Sequence, residues 1–226
     1  MPLAANTFSN VVLSDTHHKT VVKLFFFLNS GTTEQGDVLA VNASALVGVT
    51  MDLALPGGGL GQQGFLPGEV VTANGGTNAI GNVVAYNPGL NSLRVVLANA
   101  AIVFAAADPL VGSRSGARVG VISAARPWYK LSIESIWYDI PTQNNQTVGI
   151  GFAAAAGGGA ALDSILLHGQ GYFGKNSGLS MTIPNPKANS GDPNIYVSTY
   201  NFDALNSYTV ILELKKSDGY GRPVEG

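Results

Sequence analysis

The chain of 226 residues has no cysteine, which excludes a disulfide framework, a thiolate metal site and a cysteine nucleophile, and fits assembly in a reducing compartment. It is also short of charge. Asp, Glu, Lys and Arg make up 12% of the residues, about half the ~25% usual for soluble domains. Such a surface is a solubility liability for a free monomer, but it suits a subunit whose faces are covered by neighbours, because burying few charges avoids their desolvation. The 12 Lys and Arg are scattered and the net charge is −2, so no phosphate-tracking groove is supported and nucleic acid is not an expected partner. No apolar run approaches the ~18 residues of a membrane span, and no membrane partner is expected. The first residues, Met1 to Thr7, lack the basic and apolar segments of a signal peptide, so the expectation is a soluble, unprocessed chain. No long amphipathic helix is readable anywhere.

What the chain has is glycine, 29 residues of it, and short apolar stretches between turn-forming clusters. Two stretches organise the C-terminal half. In Tyr208 to Leu214, Tyr208, Val210, Leu212 and Leu214 fall on one face and Thr209, Ile211 and Glu213 on the other, the period of two that a half-buried strand requires. Its expected partner is Tyr129 to Ile140. There the apolar residues hold odd positions at Tyr129, Leu131 and Ile133, then even positions at Ile136, Tyr138 and Ile140. One extra residue near Glu134 and Ser135 explains the switch, so the sequence predicts a β-bulge there and a bent, twisted strand.

Earlier in the chain, the run from Val21 to Leu28 predicts a strand covered on both faces, since an exposed triple phenylalanine invites aggregation. Asp37 to Leu46 reads as a strand followed by a turn. Between residues 51 and 127, turns at Pro56 to Gly61, Ala73 to Thr77 and Asn87 to Gly89 separate short strands such as Asn82 to Tyr86 and Leu93 to Leu97. That texture predicts an all-β region or, alternatively, a long loop ordered on neighbouring subunits. Further strands are expected at Val148 to Phe152, whose glycines imply a close covering group such as Trp137 or Tyr138, at Ser164 to Phe173, at Ser180 to Ile183 and at Ile195 to Tyr200. The fold class is therefore all-β, a jelly-roll-like antiparallel sandwich with an additional N-terminal β region. The division expected is an arm and Gly/Ala-rich β region over residues 1–127, a sandwich core over 128–216, and a C-terminal arm over 217–226. The first region either stands alone or completes the same sandwich.

Chemical motifs are weak. Gly59 to Gly64 matches G-x-G-x-x-G, but Pro67 and Gly68 follow where a dinucleotide fold needs a helix. His17 and His18 are adjacent, so on a strand they point apart, and with His168 they make no metal or Ser-His-Asp constellation. Glu134 and Glu213, on neighbouring strands, are formally a carboxylate pair for glycoside cleavage but read more simply as solvent-facing. No enzyme activity, cofactor or metal is expected. The aromatics Trp128, Tyr129, Trp137, Tyr138, Tyr172, Phe173, Tyr196 and Tyr200 read first as packing groups and otherwise as a sugar platform. The residues expected to carry the architecture are Trp128, Tyr129, Ile133, Trp137, Tyr138, Tyr208, Val210 and Leu212.

Three stretches also carry a resemblance: Trp128 to Ile140, the Gly-x-Gly-x-Phe element Gly169 to Phe173, and Tyr208 to Lys216. Together with Ala5 to Leu13 and Lys19 to Leu24, they resemble virion structural proteins of tailed phages, especially those of aquatic bacteria and cyanobacteria. The resemblance covers roughly half the chain and leaves the Gly/Ala-rich middle unmatched. It implies a non-enzymatic component of the virion, made in the host cytoplasm. The reading it favours is a capsid decoration (cement) protein that bridges and stabilises shell subunits, with the major capsid protein and copies of itself, as a trimer or dimer, for partners. A tail, neck or baseplate component, or a carbohydrate-binding module, is the alternative.

Overall fold

The computed structural model describes residues 7–29, 36–57, 64–125, 130–153, 161–174, 182–185, 194–217 and 219–221. Seventeen strands form among them: β1 (Thr7–Asp15), β2 (Lys19–Phe27), β3 (Val38–Val41), β4 (Thr50–Ala54), β5 (Val70–Ala73), β6 (Ile80–Asn87), β7 (Ser92–Leu97), β8 (Pro109–Gly112), β9 (Arg118–Gly120), β10 (Ser123–Ala125), β11 (Leu131–Asp139), β12 (Thr147–Ala153), β13 (Ala161–Leu167), β14 (Gln170–Gly174), β15 (Ile183–Pro184), β16 (Ile195–Tyr200) and β17 (Ser207–Lys216). Every pairing is antiparallel. No helix among the described residues is long and apolar enough to cross a membrane.

The chain divides into two compact units along lines different from those read in the sequence. One unit joins residues 1–43 to 130–217, and the other joins 44–129 to 218–226. The sandwich therefore does not begin at residue 128. Its first strands come from the N-terminal residues, because β2 pairs along its whole length with β17.

In the first unit, one sheet runs β1-β2-β17-β11-β14, with β15 also on β11, and the other runs β13-β12-β16-β3. Counting β2, β3, β11, β12, β13, β14, β16 and β17 as strands one to eight, the sheet orders become 1-8-3-6 and 2-7-4-5. Strand one pairs with eight, two with seven, three with six and four with five. This is a long hairpin wrapped into two layers, the jelly roll, and β1 extends it at the edge beside β2. Its core is built by the period-two faces: Val22, Leu24, Phe26, Leu131, Ile133, Ile136, Val210, Leu212 and Leu214 from one sheet, Val148, Ile150, Phe152, Ile195 and Val197 from the other. Burial of each such side chain contributes about 1.5–3 kcal/mol. Phe26, Phe202 and Tyr208 close one end of the core with ring centroids 5.7–6.3 Å apart.

The bulge lies where the periodicity switches. In the β11–β17 ladder, Ile133 faces Leu214 and Ser135 faces Glu213, leaving Glu134 without an opposite residue. Leu131 and Ile133 before it, and Ile136 and Ile140 after it, all point inward as a result. On the other flank Gly174, at φ 132°, lies against the bulge. A Cβ there would sit 2.5 Å from Ser135 Cβ and 2.6 Å from the Glu134 carbonyl oxygen, so the position demands glycine.

Other expectations are revised. The β2 run is half-buried rather than covered on both faces: Val22, Leu24 and Phe26 are buried, Phe25 and Phe27 are half-buried and Lys23 is exposed, because a two-layer fold gives each strand one inner face. The single strand read from Ser164 to Phe173 is two strands, broken at Gly169. With φ at 68°, that glycine turns the chain from β13 in one sheet to β14 in the other. Residues 219–221 are not a free arm, since Tyr220 bridges Val49 and the Gly221 N–H donates to the Gly48 carbonyl at 2.8 Å.

The second unit is an antiparallel sheet ordered β10-β4-β7-β6-β5-β8-β9, so the Gly/Ala-rich middle is folded β structure. Its core includes Met51, Leu53, Phe65, Val71, Val83, Leu93, Val95, Phe104 and Leu110. Two buried carboxylates tie its loops. Glu69 accepts hydrogen bonds from the backbone N–H groups of Leu66, Arg114 and Ser115 at 2.7, 3.0 and 2.9 Å, and from Ser115 Oγ. Asp108 accepts from Thr77 N–H, Thr77 Oγ1 and Ala105 N–H at 3.1, 2.6 and 2.8 Å.

Candidate functional site

The outer face of the jelly-roll sheet that contains β1 is set by strand register. Residues opposite one another in antiparallel strands share a face, which aligns Val11, Lys23, Ile211, Trp137 and Tyr172 in one row. The next row on that face is Ser9, Phe25, Thr209, Asp139 and Gln170. Trp137 is 44% exposed and Tyr172 40%. These two aromatics, read in the sequence as packing groups, stand side by side facing solvent, because the bulge at Glu134 turns Trp137 outward while Ile136 goes in. Beside them Gln170 Nε2 donates to Asp139 Oδ1 at 2.8 Å. Tyr138 is half-buried and lies over Gly171, so the glycine it covers is in β14 rather than β12.

One side of this face is bounded by an ion-pair cluster. Lys19 Nζ lies 2.7 Å from Glu134 Oε2 and 2.7 Å from Glu213 Oε1, and Ser135 Oγ donates to Glu213 Oε2 at 2.9 Å. The hydrogen bonds to Glu134 and then Glu213 raise the Lys19 ammonium well above its ordinary pKa. The two glutamates, read as solvent-facing, thus converge on one cation through the bulge. As found, both carboxylates are engaged by the same ammonium, which offsets one of their two negative charges.

A second pair fixes the β1–β2 turn. The Lys216 side chain is fully buried and bonds Asp15 Oδ1 and the Thr16 carbonyl, while Thr20 Oγ1 also donates to Asp15. Burial lowers the Lys216 pKa, and the Asp15 carboxylate works in the opposite direction. Lys216 and Asp15, both largely withdrawn from solvent, thus compensate each other.

The edge strand β1 is the other notable surface. Val11, Val12 and Leu13 are 49%, 54% and 54% exposed, on both faces of a strand that pairs with β2 alone among the described strands. In the second unit, Leu66, Ile80, Leu90 and Ile122 are apolar and exposed. Neither the β1 edge nor the Glu69 and Asp108 loop ties were singled out in the sequence. Apolar residues in succession at 11–13 and the Pro-Gly-Glu and Ala-Asp-Pro turns were the signals available.

The remaining sequence motifs do not converge. His17 and His18 occupy the β1–β2 turn, and the His168 ring bonds the Gln146 carbonyl at 2.8 Å. Among the described residues, no group of three or more His, Asp or Glu side chains is placed to hold a metal ion. Residues 59–63 of the glycine motif, with Trp128 and Tyr129, lie outside the described residues. Of the other expected architectural residues, Ile133, Tyr208, Val210 and Leu212 are 0–1% exposed.

No protein-family model matches the chain, and no curated protein matches it. Among solved structures, it aligns with one described as the complete structure of manganese lipoxygenase of Gaeumannomyces graminis and partial structure of zonadhesin of Komagataella pastoris. The alignment has 10% identity over 96% of this chain and 85% of that one, and a TM-score of 0.16. That similarity is too slight to carry an argument about fold or function.

Proposed function

We propose that the protein is a non-enzymatic structural subunit of a virion, a decoration protein that binds the major capsid protein and further copies of itself on the outside of the shell. The observation that carries this reading is the sheet face running from Val11 through Ile211 to Trp137 and Tyr172, with the exposed β1 edge beside it. Exposed Val11, Trp137 and Tyr172 and half-buried Ile211 share this face with one exposed lysine, Lys23, and Lys19 engages the two glutamates at its margin; aromatic and aliphatic groups so placed suit the centre of an interface. A charge content of 12% supports the same conclusion, since few charges need desolvation on contact. Many weak contacts act together on a lattice, which gives firm coating from modest single affinities. The test is to mix purified protein with shells that lack it. Co-sedimentation that saturates at a fixed ratio to the shell protein, with a higher temperature of shell disruption, is expected. No co-sedimentation at any concentration refutes the reading.

A second reading rests on the same aromatics. Trp137 and Tyr172 flank the Asp139–Gln170 pair, and apolar rings beside a carboxylate and an amide can stack on a sugar and bond its hydroxyls. Binding in a glycan screen that is lost in Trp137→Ala supports it, and an empty screen removes it.

A further inference from the structure

We propose that the edge of β1 that no described strand covers pairs with β1 of a second copy of this chain, antiparallel about a two-fold axis at Asn10, so that the jelly-roll sheet continues from one subunit into the next. This rests on the reading of the protein as one of many copies on a shell, and it names how adjacent copies join.

The edge itself is the first observation. The backbone N–H and C=O groups of Phe8 to Ser14 bond no described segment other than β2; the Asn10 side chain donates from Nδ2 to the Ala40 carbonyl at 3.0 Å. Native edge strands are normally blunted by lysine, proline or inward-pointing charge. None of these occurs from Thr7 to Ser14, where the sequence is TFSNVVLS. Instead the edge displays Val11, Val12 and Leu13 about half-exposed. A bulge between Val12 and Ser14 twists the last third away, leaving Thr7 to Val12 as the regular part.

Register follows from the pleat. Phe8, Asn10 and Val12 lie opposite the buried Phe26, Leu24 and Val22 and so face inward, while Thr7, Ser9 and Val11 face outward. Two copies that share inner and outer faces can pair only residues of like parity. Pairing centred on Asn10 sets Phe8 against Val12 of the second copy on the inner face and Ser9 against Val11 on the outer. The inner row of Tyr208, Phe26 and Phe8 then runs on into Val12, Val22 and Leu212 of the neighbour. Centring on Ser9 leaves Val12 beyond the pairing, and centring on Val11 drives the bulge into it. The occupant is a second copy because this one strand supplies both the large and the small member of each apolar pair, an isologous match.

The area sets the strength. The exposed parts of Val11, Val12 and Leu13 amount to roughly 250 Å² per copy, so the contact is well below the ~1,200 Å² of stand-alone complexes. It forms transiently in dilute solution and firmly where copies are held side by side.

Because the chain has no cysteine, the test is clean. Asn10→Cys places one thiol on the axis, where opposed Cα atoms lie ~4.5–5.5 Å apart, within disulfide reach. Under mild oxidation of the full chain, Asn10→Cys is expected to form covalent dimer at least ~10-fold faster than Leu205→Cys, a control at a 71%-exposed position. A mixture of Ser9→Cys and Val11→Cys should cross-link likewise, and adding Val12→Lys to Asn10→Cys should return the rate to the control's. Equal rates for Asn10→Cys and Leu205→Cys, or insensitivity to Val12→Lys, overturn the pairing. Full occupancy of particles without this cross-link would refute the pairing and spare the decoration reading. Cross-linking in solution by a protein that does not bind shells would do the reverse.

Discussion

Deleting Glu134 should leave the jelly roll folded, whereas deleting a residue three positions later should not. Glu134 is the unpaired residue of the β11 bulge. Without it Leu131, Ile133, Ile136, Tyr138 and Ile140 fall into one uninterrupted period of two, and the register with β17 is kept on both sides. What is lost is an ion pair to Lys19, whose side chain is 44% exposed and which retains Glu213. Solvent screening holds that loss to about 1 kcal/mol or less. Deleting Trp137 instead forces a choice: either Ile136 turns out of the core, or Tyr138 and Ile140 do. Ile136 and Ile140 are 0% and 1% exposed, and vacating such a site costs about 2–5 kcal/mol, a large part of a domain's ~5–15 kcal/mol. Urea unfolding followed by circular dichroism reads the difference. If the Glu134 deletion is as destabilising as the Trp137 deletion, the bulge is not what reconciles the two halves of the strand.

Gly174→Ala should destabilise the same strand pair by about 2–4 kcal/mol, since its Cβ would meet backbone of Glu134 and Ser135 at 2.6 Å and overpacking against backbone cannot relax; thermal unfolding checks it. Asp15→Asn should cost about 3–5 kcal/mol by stranding the buried Lys216 ammonium, and Lys216→Met in that background should recover part of it in the same assay. In the second unit, burial alone would raise Glu69 and Asp108, but their hydrogen bonds outweigh it and both sit below their ordinary values of 4.5 and 3.8. Carboxylates lowered by folding stabilise fully above those values and lose that contribution as pH falls through the lowered native ones. Amide protection factors in loops 64–69 and 105–117, taken relative to intrinsic exchange at each pH, should therefore fall below about pH 4.5, and Glu69→Gln should show low protection at Arg114 and Ser115 already at neutral pH.

Legibility followed the physics of alternation. The period-two faces of β11 and β17, their partnership and the bulge were readable because an inward-facing row tolerates no slip, so the sequence must mark any insertion. The unit boundary was not readable. Whether residues 7–41 join the sandwich depends on β2 pairing with β17 across nearly two hundred residues, and long-range pairing leaves no local signal. Trp137 illustrates the limit at the surface: its parity after the bulge sends it outward, yet its size suggests packing, and only the solvent on that side decides. The Lys19 cluster and the β1 edge depend on neighbours supplied by tertiary structure, so composition could hint at a covered surface without locating it.

The most direct test of the decoration reading is the number of copies of this protein in purified particles, measured by quantitative mass spectrometry against the major shell protein. A ratio near stoichiometric with the shell is the expected result. A ring-like count of six to a few dozen on the order of a neck or tail assembly, or absence from the particle, would contradict it.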